Sequence, residues 1–570
     1  MNEFVDAARA WLADDPDPDT RAELAAVLAS AGSADAADSP DAAGPAADLA
    51  DRFGAHLEFG TAGLRGALGA GPNRMNRVVV LRAAAGLASY VKSNGGTSIV
   101  IGYDARHKSD VFARDTASVV AGLGLRALLL PRPSPTPVLA FAIKHLSASA
   151  GVMVTASHNP PQDNGYKVYL GDGGQIVPPA DTDISAEIAA VGALASIPRS
   201  DAFTVLDDDV LDSYVAAVSS MPLLQRVGSR DIRIAYTPLH GVGRDVVVAA
   251  FERAGFPALT VVSAQAEPDP DFPTVAFPNP EEPGAIDLAV AAARASSADI
   301  VLANDPDADR CAVAVPTGVG GDGWRMLRGD EVGVLLADFL LRNKIHGRYA
   351  TTIVSSSLLS AMAARHNMAY SETLTGFKWI VKSGDDLVFG YEEALGYCVA
   401  PDLTRDKDGI SAALILALLA AELKANDSSL LARLDEIAHD YGLFATDQLS
   451  IRVADVTQIK AAVERLRTQP PVSLGGLNVV SVEDLANGVS NLPPTDGLRY
   501  RLDGSGRGQG MARVVVRPSG TEPKLKSYLE VVVPVHDADD DAESVTNARA
   551  TARAQLDAIM DDLSKALALS

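Results

Sequence analysis

Cysteine is scarce in this sequence: its 570 residues include only Cys311 and Cys398. Two thiols over that length frame neither a disulfide scaffold nor a cysteine-based zinc site, and they fit a reducing, cytoplasmic setting. Positive charge is also in deficit, with 49 Lys and Arg against 73 Asp and Glu and a formal net charge of −24. That balance excludes a general nucleic-acid binder, which needs basic surface to neutralise phosphates, and it equally disfavours docking on an anionic membrane. A small anionic ligand stays compatible if basic residues gather in a cleft. Long apolar runs are missing. The longest, near Ala412–Ala421, is too short to span a bilayer. The first residues, Met-Asn-Glu-Phe-Val-Asp, lack a basic stretch ahead of an apolar core, so no signal peptide is expected. No strong internal sequence repeat stands out.

What is present suits globular folding: 47% hydrophobic and 21% charged residues. The length predicts three to five domains of roughly 100–200 residues each. Up to about residue 50 the chain is rich in Ala, Asp and Pro. Apolar spacing predicts a helix near Asn2–Leu12, and the low-complexity stretch Ala31–Leu49 reads as a mobile surface insertion. Strand and helix signals then alternate. Strands are expected at Thr97–Gly102, Ala127–Leu130, Gly151–Val154, Ile232–Tyr236, Ile300–Ala303 and Tyr349–Val354. Helices are expected at about Asp110–Leu125, after the Gly-rich turn Leu239–Gly243, and at about Asp330–Leu341. This rhythm predicts α/β units with buried strands, whose ligands gather at the carboxyl ends. From about Gly442 the pattern changes to shorter strands, Gly-rich loops such as Asp503–Gly510, and a closing helix near Ala542–Leu567. The expected fold class is α/β: three similar α/β domains with mixed sheets (51–205, 206–325 and 326–440), then an α+β domain (441–570), behind an N-terminal helix and insertion (1–50).

Four runs carry chemistry. In Thr155-Ala156-Ser157-His158-Asn159-Pro160, a serine at the tip of a turn can approach a substrate, though a free hydroxyl needs activation by a base or metal. In isolation an ordinary hydrogen-bonded turn is the stronger reading, and His158 beside Ser157 does not by itself make a catalytic pair. In Asp305-Pro306-Asp307-Ala308-Asp309-Arg310, three carboxylates at alternate positions can converge on a hard cation. Mg²⁺ takes few protein ligands and leaves room for a phosphate oxygen, while the run lacks the Gly and distal Glu of a calcium loop. A solvated acidic turn is as good a reading from spacing alone, and Arg310 tips the balance toward phosphate. In Gly390-Tyr391-Glu392-Glu393-Ala394-Leu395-Gly396, paired acids can bond sugar hydroxyls or simply sit at a helix N-terminus. In Arg517-Pro518-Ser519-Gly520-Thr521-Glu522-Pro523-Lys524-Leu525-Lys526, hydroxyls, backbone donors and the charges of Arg517 and Lys526 can cradle a phosphate, or form a polar turn.

Two further runs place Arg65 in a Gly-rich stretch, Phe59–Gly66, and Lys378 after a turn, Thr375–Trp379. In this order the set resembles the α-D-phosphohexomutase superfamily of phosphoglucomutases, phosphomannomutases and relatives, from about Leu57 to Tyr528. Leu57–Asn76, Tyr236–Gly243 and Tyr391–Tyr397 are similar to the branch that includes phosphopentomutase and glucose-1,6-bisphosphate synthase.

The resemblance implies four domains around a central cleft, each giving one loop. It implies Ser157 as the phosphoserine, with Asp305, Asp307 and Asp309 holding Mg²⁺ together with a Ser157 phosphate oxygen. It implies Glu392 on sugar hydroxyls, and Arg517, Ser519, Gly520, Thr521 and Lys526 on the non-reacting phosphate. Arg65, Lys167 and Lys378 match positions near the reacting group, the two lysines as acid and base candidates; His158 is a further catalytic candidate, and Arg310 is expected to bind substrate phosphate. Much of the superfamily has Ser where this chain has Ala394, which keeps a pentose phosphate in play beside glucose or mannose phosphate. The expected activity is a phosphosugar mutase working through a bisphosphate primer and intermediate, with a monomer or homodimer as the working form. The alternatives are a phosphopentomutase, a sugar-bisphosphate synthase, or a catalytically silent sugar-phosphate-binding protein.

Overall fold

A computed structural model describes residues 2–31, 43–226, 228–318, 323–453, 456–489, 492–504, 510–519, 524–535 and 541–569. The chain forms two compact units, one from Met1–Met326 with Tyr397–Leu418, the other from Leu327–Gly396 with Leu419–Ser570.

The first unit opens with helices Asn2–Asp14, Pro18–Ala31 and Ala43–Phe53. They bury Ala8, Leu24 and Leu49 against Ala70. Residues 43–49, expected within a mobile insertion, thus belong to a packed helix; alanine suits a helix as well as it suits low complexity. Residues 32–42 of that insertion lie outside the described residues.

A six-stranded mixed sheet follows, in the order Leu64–Ala67, Asp163–Leu170, Ala150–Val154, Ser98–Tyr103, Arg126–Leu129, Thr204–Val205. Ser98–Tyr103 pairs in parallel with both Arg126–Leu129 and Ala150–Val154. Ser98–Tyr103 is buried at every residue, as a sheet covered on both faces requires. The helix Arg77–Ser93 starts where Asn76 Oδ1 accepts the Val79 N–H at 3.0 Å. Asp163–Leu170 runs antiparallel to both its neighbours, pairing Met153 with Lys167 and Arg65 with Gly165. The Ser157 turn is therefore the connection of a hairpin, at the carboxyl end of Ala150–Val154.

A five-stranded mixed sheet, in the order Trp324–Met326, Ala312–Pro316, Ile300–Ala303, Ile234–Thr237, Thr260–Val261, repeats the design. Ile300–Ala303 is parallel to Ile234–Thr237 and antiparallel to Ala312–Pro316. The aspartate run is again the hairpin connection. The duplication invisible in the sequence is plain in the topology. In both halves of the repeat, a buried parallel strand turns back through a tight hairpin connection.

In the second unit, Arg348–Thr352 pairs in parallel with Ala369–Thr373 and Leu387–Glu392. The helix Gly329–Arg342 and the loop after Glu392 complete this α/β layer. The last sheet is antiparallel throughout, in the order Leu443–Arg452, Lys524–Val533, Met511–Pro518, Leu498–Asp503, Leu477–Asp484, Ser473–Leu474. Its strands of up to 10 residues are longer than the short ones expected. One face is covered by Leu556, Ile559 and Leu563 of the closing helix Asp541–Leu567, which pack with Val514, Val516 and Leu529. Among the described residues, no single helix is long and apolar enough to cross a membrane. The apolar run near Ala412–Ala421 lies in the helix Gly409–Ala425 and is buried.

Candidate active site

Ser157 sits at the turn of its hairpin with φ +53°, a left-handed conformation uncommon for a residue with a Cβ. Its amide donates to Thr155 Oγ1 at 2.8 Å. The side chain is 3% exposed, and its hydroxyl donates to Asp305 Oδ2 at 2.8 Å. His158 Nδ1 lies 3.2 Å from the same Oγ. Arg65 donates to Asn159 Oδ1 at 3.3 Å, two residues further along the turn.

The acidic loop meets this hydroxyl from the second sheet. Ligand atoms of Asp305, Asp307 and Asp309 all lie within 4.8 Å of one another, and all three residues are buried. Arg310 N donates to Asp305 Oδ1 at 3.0 Å, closing the loop on itself. The Leu239–Gly243 turn supports it: a Cβ on Gly241 would stand 2.4 Å from Pro306 Cα, so only glycine admits this approach. Lys167 Nζ bridges Asp307 Oδ2 at 2.8 Å and Asp309 Oδ2 at 2.9 Å. Thr136 Oγ1 donates to Asp307 Oδ2 at 2.7 Å.

Burial and neighbouring charge together decide the protonation states. Burial, then Asp307 and Asp309, push Asp305 well above the usual carboxylate range. Burial would raise Asp307 and Asp309 too, but Lys167 holds the first below its ordinary value, and Lys167, Lys407 and Arg310 hold the second. Burial would lower Lys167, yet the same two aspartates raise it, so this lysine stays charged. Desolvation, with Arg310 and Arg65, holds His158 well below its ordinary value, so its imidazole is neutral.

The donor set fits a divalent cation. Asp307 and Asp309 each give one oxygen to Lys167, and their other oxygens, both Oδ1, are buried with no hydrogen-bond partner among the described residues. Buried anionic oxygens without donors are costly unless a cation takes them. Hard carboxylate oxygens converging at this spacing suit Mg²⁺.

In the second unit, Glu392 ends the strand Leu387–Glu392, and the turn continues through Ala394 to Leu395 at φ +64°. Glu393 shapes this turn: its Oε2 accepts from Ser355 Oγ at 3.0 Å, and its N–H donates to the same oxygen at 3.1 Å. Arg517 and Lys526 are cross-strand partners in the hairpin of the last sheet. Tyr528 joins the two loops. It is hydrogen-bonded to Arg517 and feels the charges of Glu393 and Glu392, which with burial raise its pKa. Arg517 Nε is buried without a partner among the described residues. Ser519 N donates to Lys524 O at 2.8 Å, while Gly520 and Thr521 lie outside the described residues. Lys378 lies in the short helix Phe377–Ile380, after Gly376 at φ +105°.

Sequence reasoning missed several groups. Lys407 Nζ is 3.2 Å from Asp309 Oδ2, a second lysine on that carboxylate. Glu281 Oε2 is 3.7 Å from Arg310. Arg106 and Thr136 also touch the site's loops. None lies in a Gly- or Ser-rich signature, so only chain order in three dimensions reveals them.

Comparison with known proteins accounts for most of the chain. The descriptions "Phosphoglucomutase/phosphomannomutase, alpha/beta/alpha domain I", "domain II" and "domain III" match residues 56–194, 212–320 and 328–439, and the "C-terminal domain" matches 452–548. A Haemophilus influenzae protein named "Probable phosphomannomutase" is 48% identical over 80% of this chain and 93% of its own. The Homo sapiens "Phosphopentomutase" is 35% identical over 86% of this chain and 87% of its own. A crystal structure of a phosphoglucomutase/phosphomannomutase family protein from Burkholderia thailandensis shares the fold, with TM-score 0.66 at 19% identity, covering 90% of this chain and 98% of that one.

Proposed function

Since the chain belongs to the phosphoglucomutase/phosphomannomutase family, and so is a phosphosugar mutase and an intramolecular phosphotransferase, we propose that it moves a phosphoryl group between the 1- and 6-positions of a hexose phosphate, glucose or mannose. The observation that carries this reading is the Ser157 hydroxyl 2.8 Å from Asp305, beside two further buried aspartates bridged by Lys167. Phosphorylated Ser157 gives its phosphoryl group to a substrate hydroxyl, forming a sugar bisphosphate. The P–O bond to Ser157 breaks, a P–O bond to the sugar forms, and the proton leaving the sugar hydroxyl ends on Ser157 Oγ. The bisphosphate then turns over, and Ser157 takes the other phosphoryl group.

Asp305, Asp307 and Asp309 would hold Mg²⁺, which when bound neutralises charge on the transferring group. His158, neutral and 3.2 Å from Ser157 Oγ, is suited to carry the proton. Lys167, held charged by Asp307 and Asp309, suits proton donation rather than abstraction. Arg65 and Arg310 balance phosphate charge near Ser157, and Lys378 is the second lysine of the reacting end. Glu392 bonds sugar hydroxyls. Arg517 and Lys526, with Ser519, Gly520 and Thr521, grip the phosphate that does not react; Arg517 Nε, without a partner among the described residues, supports this. The division at 51–205, 206–325, 326–440 and 441–570 gives each loop its own domain. The charge deficit and scarce cysteine support a small sugar-phosphate substrate in a reducing cytoplasm.

A pentose phosphate is the second reading. Ala394 offers no hydroxyl to a hexose, and the human relative is named for pentoses. The test is a substrate panel of glucose-1-, mannose-1- and ribose-1-phosphate with Mg²⁺ and a bisphosphate primer, run on protein checked by intact mass for one phosphate. The highest kcat/KM should fall on a hexose phosphate. Near-normal turnover by Ser157→Ala, with no phosphate on the protein, would sink the mechanism. A best substrate of ribose-1-phosphate would replace hexose by pentose.

A further inference from the structure

We propose that Arg106 is the positioning residue of the nucleophile loop, holding Ser157 in its reactive conformation from behind. Arg106 lies in the loop after the strand Ser98–Tyr103, and it is 4% exposed. Its Nη2 donates to Ser157 O and to Asn159 O, both at 2.6 Å. Its Nη1 donates to Pro160 O at 2.9 Å and to Asp163 O at 3.3 Å. One planar cation thus collects four carbonyls from the turn that carries the nucleophile.

The turn needs such a clamp. Ser157 at φ +53° is in a conformation that a side chain disfavours, and the hydrogen bond from its own N–H to Thr155 Oγ1 fixes only one end. Left without the guanidinium, one buried and three partly buried carbonyls would lose this donor together, and the loop would rearrange to recover hydrogen bonds.

The clamp is itself held on three sides. Asp104 sits 3.4 Å from Arg106 Nε and accepts from Arg106 N at 3.1 Å and from Ser109 Oγ at 2.6 Å. Phe272 lies under the guanidinium, 4.9 Å from ring centroid to Cζ, while the adjacent Asp271 meets His107 at 2.7 Å. Lys108, in a left-handed conformation at φ +65°, reaches Asp17 at 3.1 Å and Asp19 at 2.5 Å in the N-terminal helical layer. Asp17 and Asp19 thus tie down the residue two positions after Arg106 in the loop that positions Ser157. Lysine cannot replace the arginine, because one tetrahedral ammonium cannot span carbonyls served by both Nη1 and Nη2.

The inference rests on Ser157 being the phosphoryl carrier. The experiment compares wild type, Arg106→Lys and Arg106→Ala by steady-state kinetics, by intact mass after incubation with a sugar bisphosphate, and by amide hydrogen exchange over 156–164. Arg106→Lys should lower kcat by about 10²-fold with KM changed no more than about threefold, the signature of a misplaced reacting group. Exchange over 156–164 should speed up, and millimolar guanidinium ion should return at least about tenfold of the activity lost in Arg106→Ala. If the arginine variants do not fold, Phe272→Leu keeps the guanidinium and loosens its seat, and should show the same exchange change with a smaller loss of kcat. Wild-type kcat and exchange in the variant that folds would overturn the proposal. A wild-type protein that takes no phosphate on Ser157 would instead overturn the carrier assignment, and the exchange result would still judge the clamp.

Discussion

Asp330 offers a quantitative test of how the second unit supports the loop that carries Glu392. It opens the helix Gly329–Arg342, where a negative charge is welcome to the helix dipole. Burial outweighs that. Desolvation, with a contribution from Glu530, pushes its pKa up to about 6 from an ordinary 3.8, despite hydrogen bonds from Ser356, Thr446 and Tyr391. The native state therefore keeps this proton longer than the unfolded chain does. Between the two values the native state binds more protons, so stability falls as pH rises, and the whole penalty is present above the folded value. The shift from 3.8 to about 6 corresponds to about 3 kcal/mol lost by pH 7, about half of it already lost at pH 5. Asp330→Asn removes the titration while keeping an oxygen that can accept from Ser356 N, now at 2.6 Å, and from the Tyr391 hydroxyl, now at 3.1 Å. The variant should match wild type near pH 4 and exceed it by about 3 kcal/mol at pH 7. Urea denaturation of both proteins from pH 4 to 8 measures the difference, in which carboxylates common to both cancel. A difference that stays flat with pH, or a variant weaker than wild type at pH 7, refutes the reasoning.

Lys167→Met leaves Asp307 and Asp309 buried without their shared cation; without metal it should cost about 3–5 kcal/mol. Thermal shifts with and without Mg²⁺ should show a larger metal-induced gain in this variant than in wild type. In Gly329→Ala the new Cβ would stand 1.8 Å from Glu393 O, so the turn carrying Glu392 must move. kcat/KM should drop about 10²-fold, the cost of roughly 1 Å of misplacement. On the proposed sugar-loop assignment, Ala394→Ser adds one hydroxyl to that loop, and the ratio of kcat/KM for glucose-1-phosphate over ribose-1-phosphate should rise up to about tenfold.

Much of this was legible before any coordinates. The strand Ile300–Ala303 reads directly from four apolar residues bounded by Asp299 and Asn304, and it is found there to the residue. The acidic run signals convergence because alternate positions on a tight turn face one point, and its three carboxylates do meet. The helix Pro18–Ala31 escaped notice because its alanines blur apolar spacing. The long strands of the last sheet were underestimated because charged residues such as Arg513, Lys524 and Lys526 interrupt the apolar signal; Arg513 is held by Glu372, Glu530 and the Ile353 and Ser355 carbonyls, which no local pattern reveals. Lys407 and Arg106 were illegible for a different reason. Each acts on a loop roughly 50 to 100 residues away, and nothing local in a sequence records which distant carboxylate or carbonyl a cation will meet.

The first unit is not contiguous: it needs Tyr397–Leu418, made only after the first stretch of the second unit. Within that segment Asp406 accepts from the Tyr169 hydroxyl at 2.8 Å, Asp408 accepts from Tyr214 at 2.9 Å, and Lys407 meets Asp309. A ribosome adding roughly 5–20 residues per second reaches Leu418 about 5–18 s after Met326. For that interval the nascent first unit holds two tyrosine hydroxyls without their acceptors and an aspartate short of one lysine. The aspartate loop can therefore be completed only late in synthesis, and a gene cut after Met326 would encode a fragment that waits for a piece that never arrives.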